Sequence, residues 1–128
     1  SAGCRYCQAH TGHNTERAGP ASAQQVERLA QVLNYETAEC FTRAERAAIG
    51  LALAAGQVPN ACDGDHFSLL REHYSERQQV QIVAVISLFG FLNRWNDTLA
   101  TTLEQTPTDF AQEHLLGGGW QLSKHAAE

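Results

Sequence analysis

The run Gly3-Cys4-Arg5-Tyr6-Cys7-Gln8-Ala9-His10-Thr11-Gly12-His13-Asn14-Thr15-Glu16-Arg17-Ala18-Gly19-Pro20 sets a cysteine or histidine at every third position from Cys4 to His13, then stops on a glycine and a proline. No proline interrupts it between Cys4 and Gly19, and Gly12 is its one interior glycine. The spacing predicts a helix whose first turn holds two thiols. Side chains three apart lie one turn apart on the same side, with Cβ atoms roughly 5–6 Å from each other. That is close to disulfide reach. The first turn also presents unpaired N–H groups and a partial positive charge, which favour a thiolate. Cysteines in such Cys-x-x-Cys settings fall from a pKa of about 8.5 to roughly 3.5–7.5. Cys4 and Cys7 are therefore candidate redox nucleophiles, and His10, one turn beyond Cys7, is the candidate proton relay.

Other readings of the same residues are weaker. Two cysteines and two histidines are a common zinc set. On one helix, however, ligands at steps of three rotate backward by about 60° each and fan over half the cylinder. A site combining Cys4 and Cys7 with a distant ligand stays open. Covalent haem attachment needs Cys-x-x-Cys-His, and Gln8 occupies the histidine position. A purely structural thiol pair is the bland alternative, and His13 taken alone reads as a solvated surface residue.

The stretch from Gly3 to Gly19, with Asn93-Arg94-Trp95-Asn96, Gly119-Trp120 and Lys124-His125, resembles the alkylhydroperoxidase D-like branch of the carboxymuconolactone decarboxylase superfamily. With the order of helices, the resemblance covers nearly the whole chain. It implies an all-α fold and a dithiol enzyme of antioxidant type. Cys7 would attack a hydroperoxide, Cys4 would resolve the intermediate, and a lipoyl protein or thioredoxin-like dithiol would be the reductant. It also implies a homo-oligomer, trimeric or larger. Decarboxylase or lactone-processing chemistry belongs to the other branch, and a non-enzymatic redox sensor or partner-binding oligomer is the third reading. The family histidine falls four residues after the second cysteine, at Thr11 here, and His10 and His13 flank that place. The family glutamate lies about three helical turns upstream of the first cysteine. The chain begins only three residues before Cys4 and contains no methionine, so the reading expects a lost N-terminal helix.

Length and composition frame this. A chain of 128 residues with 43% hydrophobic content is expected to form one domain, residues 1–128, around one core. Its net charge is −5, and eight arginines and one lysine are scattered without a cluster, which argues against nucleic acid and anionic membranes. Cys40 and Cys62 read as buried single thiols. A dithiol that must be regenerated fits a reducing, cytoplasmic setting. No bound cofactor is expected.

The rest of the chain reads as helices. Ser22 with Gln25, Thr42 with Glu45 and Ser75 with Gln78 are capping-box patterns. Val26, Leu29, Ala30 and Leu33 mark an apolar face ending near Asn34. An alanine-rich helix runs from Thr42 to Gly56. Asp63-Gly64-Asp65 lacks the further ligands of a calcium loop and reads as a cap for a helix ending near Tyr74. From Ser75 the longest apolar run, Val80 to Leu92, predicts a central helix near residues 76–104. It is apolar on nearly every side, so it must be covered as a core helix or a subunit interface. Thirteen residues are too few to span a bilayer, which takes about 20. Thr106-Pro107 caps a last helix, and Trp120 anchors a tail in which His125 has no assigned role. About six packed helices and no strand are expected.

Overall fold

Among the described residues, six α-helices follow in the order α1 (Arg5–Arg17), α2 (Ser22–Ala30), α3 (Arg43–Ala55), α4 (Gly64–Arg71), α5 (Glu76–Leu99) and α6 (Gln105–His114), with short 3-10 turns at Val32–Asn34, Leu116–Gly118 and Ser123–His125. These come from a computed structural model, which describes residues 3–17 and 22–126. No strand occurs among the described residues, so the chain is all-α as the patterning requires. The expected stop at Gly19-Pro20 lies outside the described residues. None of the described helices is long and apolar enough to cross a membrane.

Contacts gather the chain into two compact units, one formed by Asn34–Phe91 and the other by Gly3–Leu33 with Leu92–Glu128. The first unit is built on α3, α4 and the N-terminal part of α5. Thr42 opens α3 with a complete capping box. Its hydroxyl accepts from the Glu45 N–H at 3.2 Å, and the Glu45 carboxylate accepts from the Thr42 N–H at 2.9 Å. Ser75 and Gln78 repeat the arrangement at the start of α5. Asp63 caps α4 by accepting from the N–H groups of Asp65 and His66, the capping role expected of it. Ala47, Leu51 and Leu70 form the core here, with Phe67, Tyr74, Ile82 and Ile86 packed against them. Full burial of a leucine contributes about 1.5–3 kcal/mol. Cys62 borders this core half-buried, while Cys40 is exposed. Neither is the fully buried thiol expected, because both sit on loops outside the helical core.

The second unit holds α1, α2, the last turns of α5, and α6 with the tail. Ala9, Leu103, Ala111 and Trp120 are its core, and Tyr6, Leu115 and Leu122 pack against it. Small residues let α1 approach α6 closely. A Cβ at Gly12 would run into the buried ring of Phe110. His13 is buried beside that ring rather than solvated as expected, because Gly12 draws this part of α1 onto α6. Helix α2 ends at Ala30, and Leu33 is 71% exposed, so the apolar face read through Leu33 is cut short by the 3-10 turn. Helix α6 begins two residues earlier than Thr106-Pro107 suggests. Glu104 is the residue before its first turn, and Pro107 occupies the third helical position, where a missing N–H costs little. Gly119 takes φ +79° and turns the chain so that Trp120 reaches inward.

Helix α5 shows no buried residue. Within the first unit, Ile82 and Ile86 of this helix pack half-buried against the core of Ala47, Leu51 and Leu70.

Candidate active site

Cys4 precedes the first turn of α1, and its carbonyl accepts the first helical hydrogen bond, from the Gln8 N–H at 3.1 Å. Its sulfur accepts from the Cys7 N–H at 3.3 Å. Cys4 thus caps the helix with Sγ, in the way that a serine or aspartate oxygen does elsewhere. The two sulfurs lie 3.0 Å apart in hydrogen-bond contact, and about 1 Å of approach would bring them to disulfide length. Cys4 is buried and Cys7 half-buried, so Cys7 is the sulfur that a molecule from solvent meets first.

Charge and burial act on Cys7 against the expectation from the motif. Burial first, and then the hydrogen bond and charge of Cys4, push its thiol up to about 12, and Asp97 adds to this. Asn96 opposes the rise, with its Nδ2 donating to Cys7 Sγ at 3.8 Å. Two thiols this close share one favourable ionisation, and the second is suppressed by the first charge. Asn96 is fixed in direction. It donates to the Leu92 carbonyl at 3.0 Å, and its Oδ1 accepts from the Thr101 hydroxyl at 3.0 Å.

His10 makes its hydrogen bond to Glu104, Nε2 to Oε2 at 2.7 Å. Its ring lies against that of Tyr6, tilted by 41° with the centroids 4.4 Å apart. Glu104 thus supplies His10 with a carboxylate from downstream in the chain. Its side chain does not cap α6. Its carboxyl is held below the usual range by its own backbone N–H, and then by His10 and Tyr6. The Tyr6 hydroxyl is raised by burial, then by Glu104 and the two cysteines. Nothing in the sequence flags Glu104, since 94 residues separate it from His10.

On the far side of Cys4 lie Asp97 and His125, with ligand atoms of all three within 4.8 Å of one another. His125 is 1% exposed, so the tail histidine left without a role is a core residue. Trp120 anchors the same region, with Nε1 donating to the Arg5 carbonyl at 3.0 Å. Lys124 Nζ donates to Asp97 Oδ2 at 2.9 Å and holds this carboxyl below its usual range, with His125 adding to the effect. The polar run after the apolar helix thus sends Asn96 and Asp97 to the thiol pair.

Fold and site together define an all-α protein with a vicinal dithiol at a helix start, backed by a histidine–carboxylate pair. The chain is similar to the crystal structure of the debrominase Bmp8 without ligand, with 33% identity and a TM-score of 0.77 over 88% of this chain and 58% of that one. A cysteine-to-alanine variant of Bmp8 in complex with 2,3,4-tribromopyrrole matches with 32% identity and a TM-score of 0.77, over 87% and 57%. The chain thus spans less than two thirds of the length of these neighbours. The helical architecture is consistent with the alkylhydroperoxidase D-like fold expected from the sequence. No protein-family profile matches the sequence, and no curated protein matches it significantly.

Proposed function

We propose that the chain is the dithiol-bearing part of a reductase of the alkylhydroperoxidase D-like branch, delivering two electrons from Cys4 and Cys7 to a hydroperoxide. The observation that carries the reading is the 3.0 Å contact between the two sulfurs at the start of α1. Cys7, the more exposed, attacks the terminal peroxide oxygen. An S–O bond forms, the O–O bond breaks, and the alkoxide leaves with a proton as alcohol. Cys4 then attacks the Cys7 sulfenic acid, closing the disulfide and expelling water. The pair gives up one proton before attack, and His10, held by Glu104, is the group that takes it away from the start of the helix. A dithiol such as a lipoyl protein or thioredoxin-like partner reopens the disulfide. The working protein is a homo-oligomer.

A second reading is favoured by the likeness to a debrominase. Replacing carbon-bound bromine by hydrogen is a two-electron reduction, and a dithiol supplies it: one carbon–bromine bond and two thiols become one carbon–hydrogen bond, one disulfide and hydrogen bromide. The same sulfur pair serves either acceptor.

The test is single-turnover mass spectrometry of the reduced full-length protein with one equivalent of hydroperoxide and, separately, of 2,3,4-tribromopyrrole. A Cys4–Cys7 disulfide formed with peroxide, reopened by dithiol and formed again supports the peroxidase. Disulfide with bromide release only from the pyrrole moves the assignment to debromination. Thiols untouched by both remove the reductase reading.

A further inference from the structure

His125 is held in one tautomer by its surroundings. Its Nδ1 lies 2.8 Å from the Thr101 carbonyl, and a carbonyl only accepts, so the ring proton sits on Nδ1. Nε2 is the nitrogen left to offer a lone pair to a ligand. That atom is buried and has no hydrogen-bond partner, an arrangement that costs stability unless something fills it. Nε2 lies 3.7 Å from Asp97 Oδ1, too long for a hydrogen bond. Asp97 is turned for the same meeting. Lys124 occupies Oδ2 and leaves Oδ1 directed at His125. Cys4 Sγ completes the group, all three atoms lying within 4.8 Å of one another.

We propose that Cys4, Asp97 and His125 bind a divalent transition-metal ion, with zinc the best fit. Zinc takes thiolate sulfur at about 2.3 Å, imidazole nitrogen at about 2.0–2.1 Å and carboxylate oxygen at about 2.0–2.2 Å. Tetrahedral angles then put nitrogen and oxygen roughly 3.4 Å apart and sulfur and nitrogen roughly 3.6 Å apart. The 3.7 Å between His125 and Asp97 needs only a small contraction. A thiolate excludes the hard cations magnesium and calcium, which take oxygen. The backbone carbonyl on Nδ1 is the outer partner that metal-binding histidines ordinarily have. The convergence forbidden along one helix is reached by drawing a single cysteine from α1 and two ligands from the end of α5 and the tail.

The site shares Cys4 with the dithiol, which couples the two. An ion held by the Cys4 thiolate blocks disulfide closure, and disulfide closure removes a ligand. Metal binding requires a reduced Cys4 but no turnover, so it stands apart from the choice of acceptor.

The experiment is titration of the reduced, metal-free full-length protein with cobalt(II) under anaerobic conditions, followed by displacement with zinc. One equivalent is expected to give a thiolate-to-cobalt charge-transfer band and the visible bands of a four-coordinate ion, both lost on zinc addition and absent from the disulfide form. Asp97→Asn and His125→Gln are each expected to weaken cobalt binding by about 10- to 100-fold or more, since even outer partners of metal ligands matter that much. Cys7→Ser is expected to keep the bands. Where His125→Gln fails to fold, as judged by circular dichroism, Asp97→Asn, on a half-exposed carboxylate, decides alone. A wild-type protein without the one-equivalent band, or wild-type affinity in a folded variant of either residue, overturns the site. Disulfide formation with peroxide in metal-free buffer is recorded beside it, so that loss of the redox reading and loss of the metal site register separately.

Discussion

At the Cys7 sulfur, burial and the neighbouring Cys4 hold the proton on, raising its pKa from 9.0 to about 12. A thiol that binds its proton more tightly folded than unfolded stabilises the fold fully below the unfolded pKa, and this contribution is lost as pH rises through the folded value. Thermal unfolding of the reduced protein is therefore expected to fall as pH climbs from near 9 toward 12. Tyr6, also raised, acts in the same direction over the upper part of that window. Cys7→Ser isolates the thiol: its alkaline decline should be shallower than that of the wild type, and equal declines would refute the role of Cys7. The second residue-scale prediction concerns His10. His10→Asn is expected to slow peroxide-driven disulfide formation by roughly 10²-fold, the lower end of general acid–base contributions. Glu104 acts through His10, so Glu104→Gln should change the shape of the pH–rate profile, whereas a merely structural contact would lower the rate equally at all pH. Stopped-flow measurement of both variants across pH checks this.

Helices α1 and α6 meet where Gly12 faces Phe110, and this contact sets the position of the helix that carries the thiols. Alanine in place of a helical glycine ordinarily gains about 1 kcal/mol. Here the added Cβ strikes a buried ring, and overpacking costs about 1–3 kcal/mol. Gly12→Ala is accordingly expected to lower stability by about 1 kcal/mol in denaturant unfolding. The loss should vanish in a Phe110→Leu background, where the coupling between the two sites is relieved. Such contacts also mark what the sequence leaves hidden. The capping boxes at Thr42 and Ser75, the Asp63 cap and the dithiol turn are local, with donor and acceptor within four residues, and all were legible. The site around the dithiol is not local. Glu104 reaches His10, and His125 reaches Thr101 and Asp97, only after α1, α5, α6 and the tail have packed. A lone glutamate and a tail histidine carry no pattern that announces this. The misplaced start of α6 has the same root: Glu104 gives its side chain to His10 and leaves the cap unmade, so the familiar signal at Thr106-Pro107 lay two residues too late.

For the molecule as a whole, α5 poses the remaining question, because its two faces do different things. Ile82 and Ile86 pack against the α3–α4 core. At about 100° per residue, Val80, Leu88 and Phe91, all in the first unit, fall within roughly 80° of arc on the opposite side. These three are between 54% and 69% exposed. Monomeric soluble proteins rarely leave so continuous an apolar stripe in water, and one of this kind marks an association surface. A second copy of the chain is the expected occupant, since an apolar stripe with few charges is self-complementary and small net charge per copy, −5, offers modest repulsion. Sedimentation velocity over a range of concentrations is expected to show a species heavier than the 14.0 kDa chain. Leu88→Glu, which sets a charge in the middle of the stripe, is expected to return it to the monomer while circular dichroism stays helical. The dithiol is expected to stay unchanged, since Cys4 and Cys7 sit at the start of α1. A wild-type protein that sediments as a monomer at every concentration, or a Leu88→Glu protein that remains assembled, would remove α5 as the interface and leave its exposed face without an occupant.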